Sequence, residues 1–201
     1  MISRTVANGL LESGVKLNPG PWREHSISVA ENARLIAERV LGMDPEMAYV
    51  MGLLHDIGRR EGVFGIRHIF DGYKYMMSLG EPDVARICLT HSFPLKNTST
   101  FFGRYDATRE DMEFLECFLN EREYDDYDRL IQLCDAISLP EGACILEKRF
   151  VDVALRHGLP PCTIDKWKAF MELKSYFDTL TGENIYSLLP DVFENSSRNL
   201  L

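Results

Sequence analysis

Apolar residues recur at helical spacing along almost the whole chain, and this periodicity restricts the fold more than any other feature. Val29, Ala33 and Ile36, for example, follow one another at intervals of four and three residues and share one face of a helix. No stretch shows the sustained two-residue alternation that is typical of a half-buried strand. The sequence therefore predicts an all-α protein whose helices pack their apolar faces together.

The length of the chain predicts one domain. Its 201 residues, 45% of them hydrophobic, are enough to bury one sizeable core. We expect a single domain over residues 1–201, in which residues from about 22 to about 140 carry the motifs described below. The helices expected over about 141–201 match no motif, and they complete the bundle or shape a pocket.

The acidic balance of the chain argues against one class of partner. The formal net charge is −9, and no run of lysines and arginines is present that could neutralise a nucleic-acid strand. The negative balance would also repel small anions, so an anionic ligand would need local positive groups. We therefore expect no nucleic-acid partner, and the oligomeric state stays open, a homo-oligomer included.

The cysteines and the hydropathy pattern indicate in which cellular compartment the protein is located. The five cysteines are odd in number and widely spaced, mostly within apolar helical stretches, which is typical of reduced core residues. No apolar run approaches 18 residues, and no apolar signal segment stands at the amino terminus. The sequence predicts a cytoplasmic protein with no membrane partner.

Four of the five histidines and two aspartates form an ordered set that is suited to metal binding. Imidazole and carboxylate groups together bind divalent ions such as Fe, Mn, Zn, Ni or Mg. His25 shares the inward face of its helix with Val29, and Asp135 extends an apolar face on which an unpaired carboxylate would be costly. The candidate metal ligands are His25, His55, Asp56, His68, His91 and Asp135.

The order of these residues resembles that of a known family. His25, then His55-Asp56-Ile57-Gly58 at the end of a helix, and finally Asp135 are similar to the HD superfamily of metal-dependent phosphohydrolases. The resemblance implies an HD-domain helical bundle. It also implies a first metal ion that is bound by His25, His55, Asp56 and Asp135.

His68 and His91 extend the resemblance to the binuclear members of the superfamily, which include the HD-GYP cyclic-dinucleotide phosphodiesterases and the symmetrical dinucleoside tetraphosphate hydrolases. The resemblance implies that Asp56 bridges two ions and that the two histidines bind the second. Either histidine could instead be a neutral side chain near the site or a substrate contact. Arg59 stands where the HD-GYP pattern has lysine, and Ser92 follows His91 where it has a second histidine, so we do not expect a cyclic dinucleotide as substrate.

We therefore expect one or two divalent ions and hydrolysis of a small phosphate ester or anhydride by metal-activated water, with a nucleotide-like compound as the substrate class. The catalytic candidates are Asp56, which would orient the water, and Arg59, which would neutralise substrate charge. Two alternatives stay open. One is a di-iron oxygenase of HD-like fold, and the other is a non-catalytic signalling module that binds a nucleotide.

Overall fold

The computed structural model describes residues 2–198 and confirms the all-α prediction. The prediction of one domain over 1–201 extends to Met1 and residues 199–201, which lie outside the described residues. The described residues form ten α-helices and a two-stranded antiparallel ribbon, which the sequence did not predict. The helices are α1 (Arg4–Leu17), α2 (Trp22–Ala37), α3 (Pro45–Leu54), α4 (Arg67–Ser78), α5 (Pro82–Thr90), α6 (Arg109–Glu121), α7 (Asp126–Ile137), α8 (Leu146–His157), α9 (Thr163–Thr181) and α10 (Val192–Ser197). The strands are β1 (Ser138–Leu139) and β2 (Gly142–Ala143), and 3₁₀ helices span Ile57–Glu61, Thr98–Thr100 and Ile185–Ser187.

Helix α7 lies at the centre of the packing. It contacts α2, α3, α5, α8 and α9, and its side chains Leu130, Ile131 and Leu133 are fully buried. Helices α4, α5 and α6 enclose a second, smaller apolar cluster around Phe70 and Phe93. The central helix therefore connects the elements that come before it in the chain with those that follow it.

Helices α2 and α3 approach each other closely because of one glycine. A Cβ atom at Gly52 would lie 2.9 Å from the Cα of Ala30, which is closer than real Cβ contacts. The missing side chain of Gly52 therefore permits the close approach of the two helices. This contact fixes the end of α3 against the helix that carries His25.

The end of α3 differs from its prediction in a way that matters for the site. Asp44 caps the helix and Pro45 occupies its first turn, as their residue types favour. The sequence predicted a helix toward Gly58, whereas α3 ends at Leu54 and the chain continues as the 3₁₀ helix Ile57–Glu61. The helical side-chain spacing is therefore interrupted at His55 and Asp56, where the backbone turns.

The predicted core position of the cysteines is confirmed only in part. All five cysteines are free thiols, and three of them are buried, but Cys117 is exposed and Cys162 is half-buried, so the core assignment is wrong for Cys117. None of the helices in residues 2–198 combines the length and apolar character needed to cross a membrane.

Candidate functional site

The structure brings all six predicted ligand residues together in one cluster. His25 comes from the first half of α2 and Asp135 from the last turn of α7. His55 and His91 each directly follow a helix, α3 and α5 respectively, and His68 lies in the first turn of α4. Residues that are up to 110 positions apart in the chain therefore meet at one place.

One half of the cluster joins α2, α3 and α7. His25 Nε2 lies 2.9 Å from Asp135 Oδ1, and His55 Nε2 lies 3.8 Å from the same oxygen. The His25 and His55 rings meet edge to face with their centroids 5.4 Å apart. Side-chain atoms of these three residues lie within 4.8 Å of one another, a spacing that one metal ion could span.

The other half is arranged around Asp56. His68 Nε2 lies 3.0 Å and His91 Nε2 lies 3.7 Å from Asp56 Oδ1, whereas His55 Nε2 lies 3.9 Å from Asp56 Oδ2. His55, Asp56 and His91 form a second group whose ligand atoms are within 4.8 Å of one another. The two groups share His55, and the two oxygens of Asp56 face different histidines.

Backbone carbonyls orient three of the imidazoles. The Nδ1 atom of His55 donates to the carbonyl of Gly52 at 2.7 Å, and that of His68 donates to the carbonyl of Gly65 at 2.5 Å. His91 donates from Nδ1 to the carbonyl of Ile87 at 3.2 Å. Because a carbonyl can only accept, each of these Nδ1 atoms carries a proton, and the hydrogen bond directs Nε2 into the cluster.

Burial keeps His55 and His91 neutral. It lowers the pKa of His91 to about 3 and also lowers the pKa of His55, the neighbouring imidazoles adding to the effect. At neutral pH both rings are therefore unprotonated at Nε2, which is the state that binds a metal ion.

The two carboxylates keep their charge despite burial. Burial would raise the pKa of Asp56, but Arg59 and the His68 and His55 imidazoles outweigh it and hold that pKa well below its usual range. Burial would also raise the pKa of Asp135, yet its contact with His25 and the nearby histidines lower it below the ordinary value. The cluster therefore contains two negative charges beside the neutral rings of His55 and His91.

Three buried atoms of the cluster have no hydrogen-bond partner among residues 2–198. They are His55 Nε2, Asp56 Oδ1 and His68 Nε2. His68 Nε2 and Asp56 Oδ1 lie 3.0 Å apart, but they do not meet in hydrogen-bond geometry. A buried polar atom without a partner costs roughly 1–3 kcal/mol, and more when it carries charge. Divalent cations would satisfy all three, because each offers a lone pair to the same region. The donor set therefore fits the metal ions that mixed imidazole and carboxylate sites bind.

Close packing and a polar network support the ligands. A Cβ at Gly58 would lie 1.9 Å from the carbonyl oxygen of His68, so only glycine allows the 3₁₀ helix to lie against α4. On α7, Asp128 accepts a hydrogen bond from Thr90 at 2.7 Å, and Gln132 donates to the Thr90 carbonyl at 3.0 Å. These bonds fix the end of α5, and with it His91, against the helix that carries Asp135.

Arg59 lies beside the cluster. Its Nε donates to Asp56 Oδ2, and its side chain is 33% exposed and lines an adjoining cavity. The sequence places Arg59 three residues after Asp56, and the structure brings it into contact with this candidate ligand.

The cluster opens into a cavity of about 920 Å³. Small-molecule sites have volumes of roughly 300–1,000 Å³, so the cavity can hold a nucleotide-sized ligand. Five of the six clustered side chains line it, together with aromatic rings and cations from the carboxyl-terminal helices. The aromatic residues of its wall are Trp22, Phe101, Phe102, Phe150, Trp167 and Phe170.

A family model described as HD domain matches residues 22–139, which is more than half of the chain. The chain belongs to the HD domain family. Its match begins at the first residue of α2 and ends at the last residue of β1, so it contains all six clustered residues of this HD site. No curated protein and no solved structure matches the chain. HD domains bind divalent metals, and the family is mostly one of metal-dependent hydrolases that act on small phosphorylated substrates.

The sequence interpretation missed the residues that the carboxyl-terminal helices add to the HD cavity. Lys166 and Arg149 line it, and both lie outside the matched segment. The sequence contains a sign that Lys166 is buried, because this residue lies four positions before Phe170 on the buried face of α9. A lysine on an apolar helix face is unusual. Arg149 had no such signal, since its position on an amphipathic helix is ordinary for a surface arginine.

Proposed function

We propose that the protein is a phosphohydrolase that cleaves a small phosphate ester or anhydride, nucleotide-like in size, and that two divalent ions bind to its His and Asp cluster. The observation that carries the proposal is the set of buried atoms without partners in the described chain, His55 Nε2, Asp56 Oδ1 and His68 Nε2, at the end of a ligand-sized cavity. Bound there, divalent ions would activate water and stabilise charge on phosphoryl oxygens.

We assign the ligands to two positions. His25, His55 and Asp135 hold one ion, and His68 and His91 hold the other. Asp56 contributes to both positions, because one of its oxygens faces His55 and the other faces His68 and His91. The assignment is based on the distances between the Asp56 oxygens and the three histidines.

Asp56 orients the attacking water in this proposal. Because its pKa is held well below the usual range, the carboxylate is a weak base and a poor acceptor of a full proton. It remains a good hydrogen-bond acceptor, since charged acceptors form stronger hydrogen bonds. Its role is therefore to position the water rather than to deprotonate it.

Arg59 places a positive charge at the cavity wall, next to the ligands. Burial would lower its pKa, but contact with Asp56 outweighs that effect and raises the pKa, so the guanidinium stays charged. Guanidinium groups match the geometry of phosphate oxygens. We propose that it binds an oxygen of the phosphoryl group under attack and that the aromatic wall of the cavity contacts the rest of a nucleotide-like substrate.

A hydrolysis screen tests the proposed function. Protein purified without chelator would be assayed with nucleoside monophosphates, nucleoside triphosphates and dinucleoside polyphosphates in the presence of Mn²⁺, and phosphate or nucleotide products would be measured. We expect turnover of at least one class. Asp56→Asn should reduce turnover by at least about 10³-fold, since replacing even a residue behind a metal ligand typically costs 10–100-fold.

Asp165→Asn is the matched control, because Asp165 is exposed on α9 and away from the cavity wall. Its turnover should equal that of the wild type. Nucleotide binding without turnover would favour the signalling module, and oxygen consumption that needs iron would favour the oxygenase. Either result would overturn the proposed function.

A further inference from the structure

Lys166 is a buried cation in the wall of the cavity. Its residue is 6% exposed, and it comes from α9, outside the segment that matches the HD family. Its Nζ donates to the carbonyl of Thr100 at 3.0 Å and lies 4.8 Å from the centre of the Phe102 ring. An ammonium group has three donors. Among the described residues, the Thr100 carbonyl is the single acceptor bonded to it, and no carboxylate forms an ion pair with it.

Other shielded cations of the protein differ from Lys166 in this respect. Arg86 pairs with Asp128 and Asp125, and Lys174 pairs with Asp178 at 2.6 Å. The Asp135 carboxylate attracts Lys166 but does not form an ion pair with it. A buried charge without an ion pair is costly, and a methionine of similar length would fill such a site at lower cost. The stability of the fold therefore does not explain an ammonium at this position.

The position of Lys166 connects it with the metal ligands. Thr100 and Phe102, which contact the ammonium, flank Phe101 in the chain. The Phe101 ring lies 6.3 Å from the His68 ring. Lys166, His68 and Arg59 line the same cavity. An anion that enters this cavity can therefore approach both the ligand cluster and the ammonium.

The same wall contains a further donor without a partner. Arg149 lines the cavity from α8, and its Nε is buried without a hydrogen-bond partner in the described part of the chain. Its Nη1 binds Asp152 at 2.6 Å, so one part of the guanidinium is paired and another is not. Cations thus gather on this wall in a chain whose net charge is −9.

We propose that Lys166 binds a phosphate oxygen of the substrate and that Arg149 assists it from the neighbouring helix. The proposal rests on the proposed function, and it assigns phosphate recognition to helices outside the HD-matched segment. The metal ligands and Arg59 would hold the group under attack. The carboxyl-terminal helices would fix the anionic substrate within the cavity.

Binding of inorganic phosphate tests this proposal without requiring turnover. Isothermal titration calorimetry would compare metal-loaded wild type with Lys166→Met, Lys166→Arg and the control Lys168→Met. Lys168 is the matched control because it lies on the same helix, is 68% exposed in its side chain and does not line the cavity. We expect the Kd for phosphate to rise at least about tenfold in Lys166→Met, by the loss of one charge-assisted hydrogen bond. Lys168→Met should match the wild type, and Lys166→Arg should recover part of the affinity.

Thermal melting without phosphate separates a binding role from a structural one. We expect Lys166→Met to melt at or above the temperature of the wild type. Lower melting with unchanged phosphate affinity would assign Lys166 to the fold and overturn the proposal, and so would a wild type that does not bind phosphate. A hydrolysis screen that detects no turnover would contradict the proposed hydrolase function. The phosphate titration would still decide whether Lys166 binds phosphate.

If Lys166→Met does not fold, acetylation of the wild type decides instead. Lysine acetylation would be followed by peptide mass spectrometry with and without phosphate. Phosphate should slow acetylation of Lys166 and leave Lys168 unchanged. Equal rates at Lys166 in both conditions would overturn the proposal.

Discussion

Buried charged side chains have different partners in the HD-matched segment and in the carboxyl-terminal helices. In residues 22–139, Asp56 and Asp135 lie among histidines and Arg59, and hydrogen bonds to the backbone orient three of the imidazoles. In the helices that follow, Lys166 is buried with a single carbonyl as its hydrogen-bond partner among the described residues. The first region could hold a cation, and in our proposal the second binds an anion. A metal site and a substrate site can thus be contributed by separate parts of one chain.

The largest expected effect is a pH dependence of the unfolding free energy that is caused by the buried Lys166. Burial lowers the pKa of Lys166 from 10.5 to about 8. Between pH 8 and 10.5 the unfolded state binds more protons than the folded state, so this group makes stability rise with pH across that window. The gain is on the order of 3 kcal/mol, at about 1.36 kcal/mol per pKa unit. Below about pH 8 the cost of burying the ammonium is fully present.

Urea unfolding at a series of pH values would measure this gain for wild type and Lys166→Met. The difference in unfolding free energy between them should shrink as pH rises from 8 to 10.5, while Lys168→Met should follow the wild type. A constant difference between wild type and Lys166→Met would show that the buried ammonium costs the fold nothing.

Glycine substitutions test how tightly the first region is packed. Gly58→Ala should destabilise the protein by about 2–3 kcal/mol, because its Cβ would overlap the backbone carbonyl of His68. Gly9 in α1 is the matched control, since a Cβ atom there would meet no neighbouring element of the described chain within 4 Å. Gly9→Ala should stabilise by about 0.5–1 kcal/mol. Equal effects in chemical denaturation would contradict the close contact between the 3₁₀ helix and α4.

The network between α5 and α7 should affect metal affinity more weakly. Gln132→Leu removes the hydrogen bond to the Thr90 carbonyl, next to His91. We expect the affinity for Mn²⁺ to fall about tenfold, as for other residues that orient metal ligands. Competition with a fluorescent chelator would measure it. Unchanged affinity would mean that packing alone holds His91 in place.

The fold class and the membership of the His and Asp cluster could be predicted because their signals are local or ordered along the chain. Helical periodicity indicated the helices, and His55-Asp56 with the spaced histidines indicated the cluster. The shared position of His55 could not be predicted, because it depends on α3 ending at Leu54 and on the following turn. The positions of Arg149 and Lys166 in the cavity wall depend on how α8 and α9 pack against a distant loop, which no local pattern encodes.

Metal content per chain tests the central claim most directly. Elemental analysis would be made on wild type, His68→Ala and Lys168→Met, each purified without chelator. Because the proposed second ion is bound by His68 and His91 beside Asp56, we expect two ions in wild type and in Lys168→Met, and one ion in His68→Ala. Wild-type protein that contains no ion, after dialysis against Mn²⁺ as well, would contradict the account.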